Sequence, residues 1–206
     1  MKASSARILL LAGAVLALAG AALVWQGLQG RQPAQEPSGP PAADTRQSLP
    51  VFALHGPRGA FGNADLAGRW TFLFFGYTRC PDVCPTTLSL MTEAKGLLAG
   101  ASAPVPQVVF VSVDPRRDTD PLLAEYLAAF DQSFIGVSGD DASLAPLTAA
   151  LGVRYQRLDA SDVRNYTVDH SAAIYLLDPQ GRVAAVFPPP QTAGILAATL
   201  RRLAQP

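Results

Sequence analysis

The two cysteines of this chain, Cys80 and Cys84, lie four positions apart and are the only cysteines in its 206 residues. In a helix, residues at i and i+4 project from one face about one turn apart, so both sulfurs would point the same way. Two sulfurs at that spacing can share a metal ion or close a disulfide. Chemistry carried out by this pair is the first hypothesis that the sequence raises.

Any histidine ligand must be one of the two histidines in the chain, His55 and His170. We favour His170 because it stands just before a predicted strand, whereas His55 lies in a glycine-rich segment typical of an exposed loop. Two thiolates and one imidazole form a soft donor set, which suits Cu(I) or Zn(II) and can also hold Cu(II). Structural zinc normally has four protein ligands, so three strong ligands favour copper unless Asp82 or Asp169 adds a carboxylate.

The cysteine pair can also work without a metal. A helix amino terminus beside a cysteine lowers the pKa of the thiol and supports thiol–disulfide exchange. Thioredoxin-type oxidants and reductases use Cys-x-x-Cys, whereas three residues separate Cys80 from Cys84. In such an exchange Cys80 would attack and Cys84 would resolve. A redox pair, a peroxidase or redox sensor on the same fold, and an inert structural disulfide are the alternatives to a metal site.

The elements that must position these residues follow from apolar periodicity and turn residues. Residues 70–75 form an apolar run typical of a buried strand, and the cysteine motif follows its carboxyl end, where sites form in open α/β sheets. Alternating strands and helices that end in a hairpin predict an α/β fold, a thioredoxin-like mixed sheet flanked by helices. Further strands are predicted near 108–113, 134–137, 155–158, 166–168, 172–177 and 182–187, and helices near 86–98, 121–130, 140–151 and 192–203.

The amino-terminal part of the chain predicts export. Residues 8–28 form an uncharged apolar run about as long as a bilayer core of roughly 30 Å, and Lys2 and Arg7 precede it. The positive-inside rule then leaves residues 1–7 in the cytoplasm and the domain in the periplasm of a bacterium, anchored in the inner membrane. A cleaved signal sequence is the alternative. Residues 29–48 are interpreted as a proline-rich linker to a single exported domain at 49–206.

Composition narrows the classes of function. The chain has 49% hydrophobic and 16% charged residues with a formal net charge of zero, and its basic residues are dispersed. Nothing therefore predicts nucleic-acid binding, and no motif for a nucleotide, haem or flavin is evident. Met91 is interpreted as a core residue of the first long helix. Arg116, Arg117 and Asp118 are interpreted as a solvated polar loop.

Four segments carry a family resemblance: 76–88 (GYTRCPDVCPTTL), 111–119 (VSVDPRRDT), 169–172 (DHSA) and 177–181 (LDPQG). They resemble the Sco/SenC family of copper-binding assembly proteins, and the resemblance spans roughly residues 50 to 200. It implies a membrane-anchored, thioredoxin-like domain that binds Cu(I) or Cu(II) through Cys80, Cys84 and His170.

The resemblance also implies a function. It points to a copper metallochaperone for the dinuclear CuA centre of cytochrome c oxidase subunit II, with other copper chaperones and the inner membrane as further partners. The alternative is a thiol-disulfide oxidoreductase that reduces the cysteines of that CuA site, so whether the chain is an enzyme stays open. The two hypotheses differ at His170, because metal retention should require the imidazole and disulfide exchange should not.

Overall fold

The computed structural model describes residues 47–100, 103–158, 162 and 165–205, all within the unit Gly39–Pro206. The predicted membrane anchor at 8–28 and most of the linker at 29–48 lie outside these residues. Across the described ranges, no helix has the length and apolar character needed to cross a membrane.

Strands and helices alternate between residues 59 and 158, three further strands and a helix follow in the described part of the chain, and together they form the predicted α/β domain. In chain order the elements are β1 (Ala53–Gly56), β2 (Gly59–Gly62), α1 (Asn63–Leu66), β3 (Thr71–Gly76), α2 (Val83–Ala99), β4 (Gln107–Ser112), α3 (Asp120–Ala128), β5 (Ile135–Val137), α4 (Asp141–Leu151), β6 (Tyr155–Leu158), β7 (Thr167–His170), β8 (Ile174–Leu177), β9 (Val183–Phe187) and α5 (Ala193–Leu203).

A mixed sheet of five strands in the order β5-β4-β3-β8-β9 forms the centre of the domain. β3 pairs in parallel with β4 on one side and antiparallel with β8 on the other. β5 lies parallel to β4, and β9 lies antiparallel to β8. Two antiparallel hairpins, β1-β2 and β6-β7, stand apart from this sheet. The predicted thioredoxin-like mixed sheet is confirmed.

β3 is buried on both faces, which explains its unbroken apolar sequence. Because successive side chains of a strand point to opposite faces, Phe72 and Phe74 pack in one core cluster with α2 and α5. Leu73 and Phe75 pack in the other cluster with α4. β3 is thereby fixed from both sides, and the loop that carries the cysteines leaves the sheet from a rigid end.

α2 begins at Val83, three residues before the predicted start at 86, and so includes Cys84 in its first turn. The predicted start follows Pro85 because the apolar spacing that indicates the helix is found in residues 86–98. In the first turn of a helix, however, the N–H groups have no intrahelical acceptor, so a proline is tolerated there. The earlier start of α2 matters for the site, because the backbone of Cys84 is then held in a regular helix.

Candidate metal centre

The cysteine loop joins the end of β3 to the start of α2. The Cys80 N–H donates to the carbonyl of Tyr77 at 3.2 Å, which closes a turn directly after the strand. The Cys84 N–H then donates to Cys80 Sγ at 3.4 Å. Cys80 therefore lies against the amino terminus of α2, where unpaired N–H groups favour a negatively charged sulfur.

His170 reaches the cysteines from the last position of β7. β7 pairs with β6, and the imidazole packs edge-on against the rings of Phe74 and Tyr77, with centroid distances of 6.1 and 5.8 Å. Its Nδ1 lies 3.0 Å from the carbonyl oxygen of Ser171. A carbonyl can only accept, so Nδ1 carries a proton, and Nε2 is the ring nitrogen that can bind a metal. Nε2 lies 3.4 Å from Cys84 Sγ.

The two sulfurs and a ring nitrogen of His170 all lie within 4.8 Å of one another. Metal–sulfur bonds of about 2.3 Å and metal–nitrogen bonds of about 2.0 Å place ligands of one ion at most about 4.6 Å apart. The described residues thus bring the three predicted ligands, Cys80, Cys84 and His170, close to metal-binding distance. Asp82 and Asp169 are exposed and are not members of this group.

The three ligands differ in their access to solvent. Cys84 has no exposed surface, whereas Cys80 and His170 are partly exposed. Neither cysteine forms a disulfide. An ion or a partner molecule must therefore approach from the side of Cys80 and His170, with the Cys84 sulfur at the bottom of the site.

The sulfurs also differ in protonation. Hydrogen bonding from the Cys84 thiol lowers the pKa of Cys80 to about 4, although partial burial opposes this shift. The same hydrogen bond, together with burial, raises the pKa of Cys84. The pair therefore carries one negative charge and one proton at neutral pH. A metal that binds both sulfurs as thiolates must release that proton.

Gly76, the last residue of β3, makes room for the buried sulfur. A Cβ atom at this position would lie 2.6 Å from Cys84 Sγ and 2.8 Å from the ring of Phe110. Both distances are too short for any side chain, so glycine is required where the sulfur packs against the strand. No prediction from the sequence concerned Gly76, although it is the first residue of the resemblance segment 76–88.

Two further interpretations need correction. Arg117 and Asp118 are not part of a solvated loop, because Asp118 is only 2% exposed and the Arg117 side chain only 5%; Arg116 alone is exposed. His55 lies in β1 rather than in a loop, and its Nδ1 is 3.0 Å from Asp120 Oδ1, outside the metal-binding group. Met91 is fully buried, as predicted.

Fold and site together define a class: thioredoxin-like domains with a two-cysteine, one-histidine centre at the carboxyl end of a central strand. The SCO1/SenC family model matches residues 41–205, and the chain belongs to this family. The predicted family is therefore confirmed.

Relatives with known structures or names agree with this assignment. The chain is 38% identical to the SCO2-like protein of Rickettsia felis over 138 residues, which cover 66% of this chain and 67% of that protein. It is also similar to the structure of Bradyrhizobium japonicum ScoI with copper bound, with 38% identity, a TM-score of 0.63, and coverage of 75% of this chain and 98% of that one. BsSco, described as a member of the Sco family of cytochrome c oxidase assembly proteins with a disulfide switch, shares the fold at 17% identity and a TM-score of 0.56, with coverage of 76% and 93%.

Removing the Cys84 thiol should raise the pKa of Cys80. In the metal-free protein we expect Cys80 to stay a thiolate as the pH is lowered, until the pH approaches about 4. In Cys84→Ala the hydrogen bond is lost, so the thiolate should take up its proton at a higher pH, closer to the ordinary range of cysteine near 8.5. Thiolate ultraviolet absorbance and the pH dependence of alkylation measure the midpoint. Equal midpoints in both proteins would contradict this account.

Adding a methyl group at Gly76 should destabilise the domain. We expect Gly76→Ala to lower the free energy of unfolding by about 1–3 kcal/mol, because the new Cβ displaces the Cys84 sulfur or the Phe110 ring. Gly96→Ala is the matched control, since Gly96 lies within α2 with open space around it. That change should stabilise the helix by about 1 kcal/mol. Denaturant unfolding of both variants checks the difference, and equal effects would count against close packing at Gly76.

Proposed function

We propose that this chain is a copper metallochaperone that assists assembly of the CuA centre of cytochrome c oxidase. The observation that carries the proposal is the convergence of Cys80, Cys84 and His170 within 4.8 Å. This soft donor set suits Cu(I) and can also hold Cu(II), and the metal in the Bradyrhizobium japonicum relative is copper. The resemblance at the sequence level supplies the link to the CuA site of subunit II.

The arrangement fits copper as cargo rather than as a permanent cofactor. Three strong ligands leave a coordination position for an incoming ligand, whereas a closed structural site would normally have four. A partner thiolate that enters from the exposed side would first replace Cys80 or His170, because the Cys84 sulfur is covered by protein. Each new metal–ligand bond replaces an old one, so the copper is transferred to the partner protein without a change in its oxidation state.

Anchoring in the inner membrane is part of the proposal. Residues 8–28 are apolar and follow Lys2 and Arg7, which supports an anchor with its amino terminus in the cytoplasm. The linker at 29–48 would then let the periplasmic domain reach a membrane-bound oxidase and other copper chaperones.

Copper retention should depend on the three ligands. We expect the reduced full-length protein to bind about one copper per chain. The His170→Ala and Cys84→Ser variants should bind copper more than about 100-fold more weakly. That loss exceeds the effect of removing a residue that only hydrogen-bonds a metal ligand. His55→Ala is the matched control, because His55 lies outside the group and should leave binding unchanged. Copper titration with a competing chelator measures the affinity. Unchanged binding in both ligand variants would reject the metal site.

A thiol-disulfide oxidoreductase is the second candidate, and the protonation of the pair favours it. The Cys80 thiolate could attack a partner disulfide, forming a mixed disulfide and releasing one partner sulfur as a thiolate. Cys84 would then give up its proton and attack Cys80, releasing the second partner thiolate. The partner gains two electrons and the chain ends with a Cys80–Cys84 disulfide.

The redox candidate is tested with a disulfide peptide that contains the two CuA cysteines of a subunit II. If the chain reduces this peptide, His170→Ala should reduce it as fast as wild type, because the exchange uses only sulfur atoms. Cys84→Ser should accumulate the mixed disulfide, since the resolving thiol is gone, and Cys80→Ser should be inactive. Mass spectrometry detects the intermediate. Failure of Cys84→Ser to trap it would exclude this route.

A further inference from the structure

The ligands of the centre come from two segments that are far apart in the chain, the cysteine loop after β3 and the end of β7. Cys84 and His170 are 86 residues apart in the chain. A third segment, residues 114–118 directly after β4, contacts the segments that lead to the ligands, at Thr78 before Cys80 and at Tyr166 before His170; we name it the β4 loop. Although it is rich in charge, three of its residues, Asp114, Arg117 and Asp118, have buried side chains.

On the cysteine side, the β4 loop holds Thr78, two residues before Cys80. Asp118 accepts hydrogen bonds from the Thr78 N–H at 3.0 Å and from the Thr78 hydroxyl at 2.6 Å. It also accepts one from the Ser112 hydroxyl at 2.6 Å, which ties it to the end of β4. All three groups donate a hydrogen bond to the one buried carboxylate of Asp118. An amide could not accept all of them, because one of its two polar atoms is a donor.

On the histidine side, the β4 loop holds Tyr166, which directly precedes β7. Asp114 accepts from the Tyr166 hydroxyl and, at 2.5 Å, from Nε of Arg117. Arg117 in turn donates to the Tyr166 carbonyl at 2.7 Å, and its guanidinium lies 3.5 Å from the centre of the Tyr166 ring. The backbone that leads to His170 is thus bonded to the same loop that bonds Thr78.

Tyr77 closes the arrangement between the two sides. It is 2% exposed, its ring lies 5.7 Å from the Arg117 guanidinium, and it stands perpendicular to the His170 imidazole at a centroid distance of 5.8 Å. Because Tyr77 and Thr78 are adjacent, any shift of Thr78 also moves the ring that supports the imidazole.

We propose that the β4 loop sets the separation between the cysteine loop and His170, with Asp118 as the positioning residue on the cysteine side. This role rests on the proposed copper site, since a set separation matters most where one ion must contact all three ligands. Asp118 touches none of the ligands. It acts through Thr78 and Tyr77, and its loss should relax the site while leaving every ligand in place.

The test compares two buried aspartates in the full-length protein. Asp178 is the matched control: it is 6% exposed and accepts three hydrogen bonds, from Gln180 and Arg182, in the β8-β9 turn. That turn is at the opposite end of β3 from the cysteines, because Leu177 pairs with Thr71. Asp118→Asn and Asp178→Asn should both lower stability. Only Asp118→Asn should weaken copper binding, by about 10–100-fold, and change the Cu(II)–thiolate absorption.

A second pair of variants tests the same role in case Asp118→Asn fails to fold. Thr78→Ser keeps the hydroxyl and should bind copper as wild type does, whereas Thr78→Val loses the hydroxyl bond to Asp118, keeps only the backbone one, and should bind more weakly. Wild-type affinity in both Asp118→Asn and Thr78→Val would overturn the positioning role, as would an equal loss in Asp178→Asn.

A metal-free measurement separates this inference from the copper proposal. In the absence of copper, the imidazole signals of His170 in nuclear magnetic resonance should shift in Asp118→Asn and Thr78→Val, because the Tyr77 ring moves, and should stay unchanged in Asp178→Asn. Unchanged His170 signals in Asp118→Asn overturn the positioning role. A wild-type protein that retains no copper overturns the proposed function instead.

Discussion

The antiparallel pairing of β3 with β8 is the constraint on which the centre depends. Phe74 lies opposite Ile174, so the start of β8 is beside the end of β3. The cysteine loop leaves the sheet at that end, and His170 is four residues before Ile174 on the incoming chain. Two segments that are distant in sequence thus lie side by side where β3 ends and β8 begins. Because β3 is buried on both faces, neither segment can shift without disturbing a packed core.

Local elements of this fold could be predicted from the sequence because their causes are local. The apolar run that becomes β3 and the periodic residues of α2 both reflect burial of neighbouring side chains. The three candidate ligands could also be found, since the chain offers two cysteines and two histidines to choose from. The start of α2 was misplaced because the apolar spacing is found in residues 86–98, whereas the first turn, which includes Pro85, begins at Val83.

The support around the ligands could not be predicted, because it consists of contacts between distant residues. Asp118 bonds Thr78 across 40 positions of the chain, and nothing near either residue reveals the other. Charged side chains are rarely buried unless they are paired, so a segment with three charges was interpreted as solvated. The need for glycine at position 76 is equally non-local, since it comes from a sulfur on the next helix.

The unequal exposure of the two sulfurs has a consequence for oxidative damage. A small oxidant in solution meets Cys80 first, both because Cys80 is accessible and because it is the thiolate. The first product would be a sulfenic acid on Cys80, and the Cys84 thiol stands ready beside it to condense to a disulfide with loss of water. That disulfide can be reduced again, whereas sulfinic and sulfonic acids on cysteine are generally irreversible. The position of the buried cysteine would thus direct oxidation of Cys80 towards a disulfide, which can be reduced again.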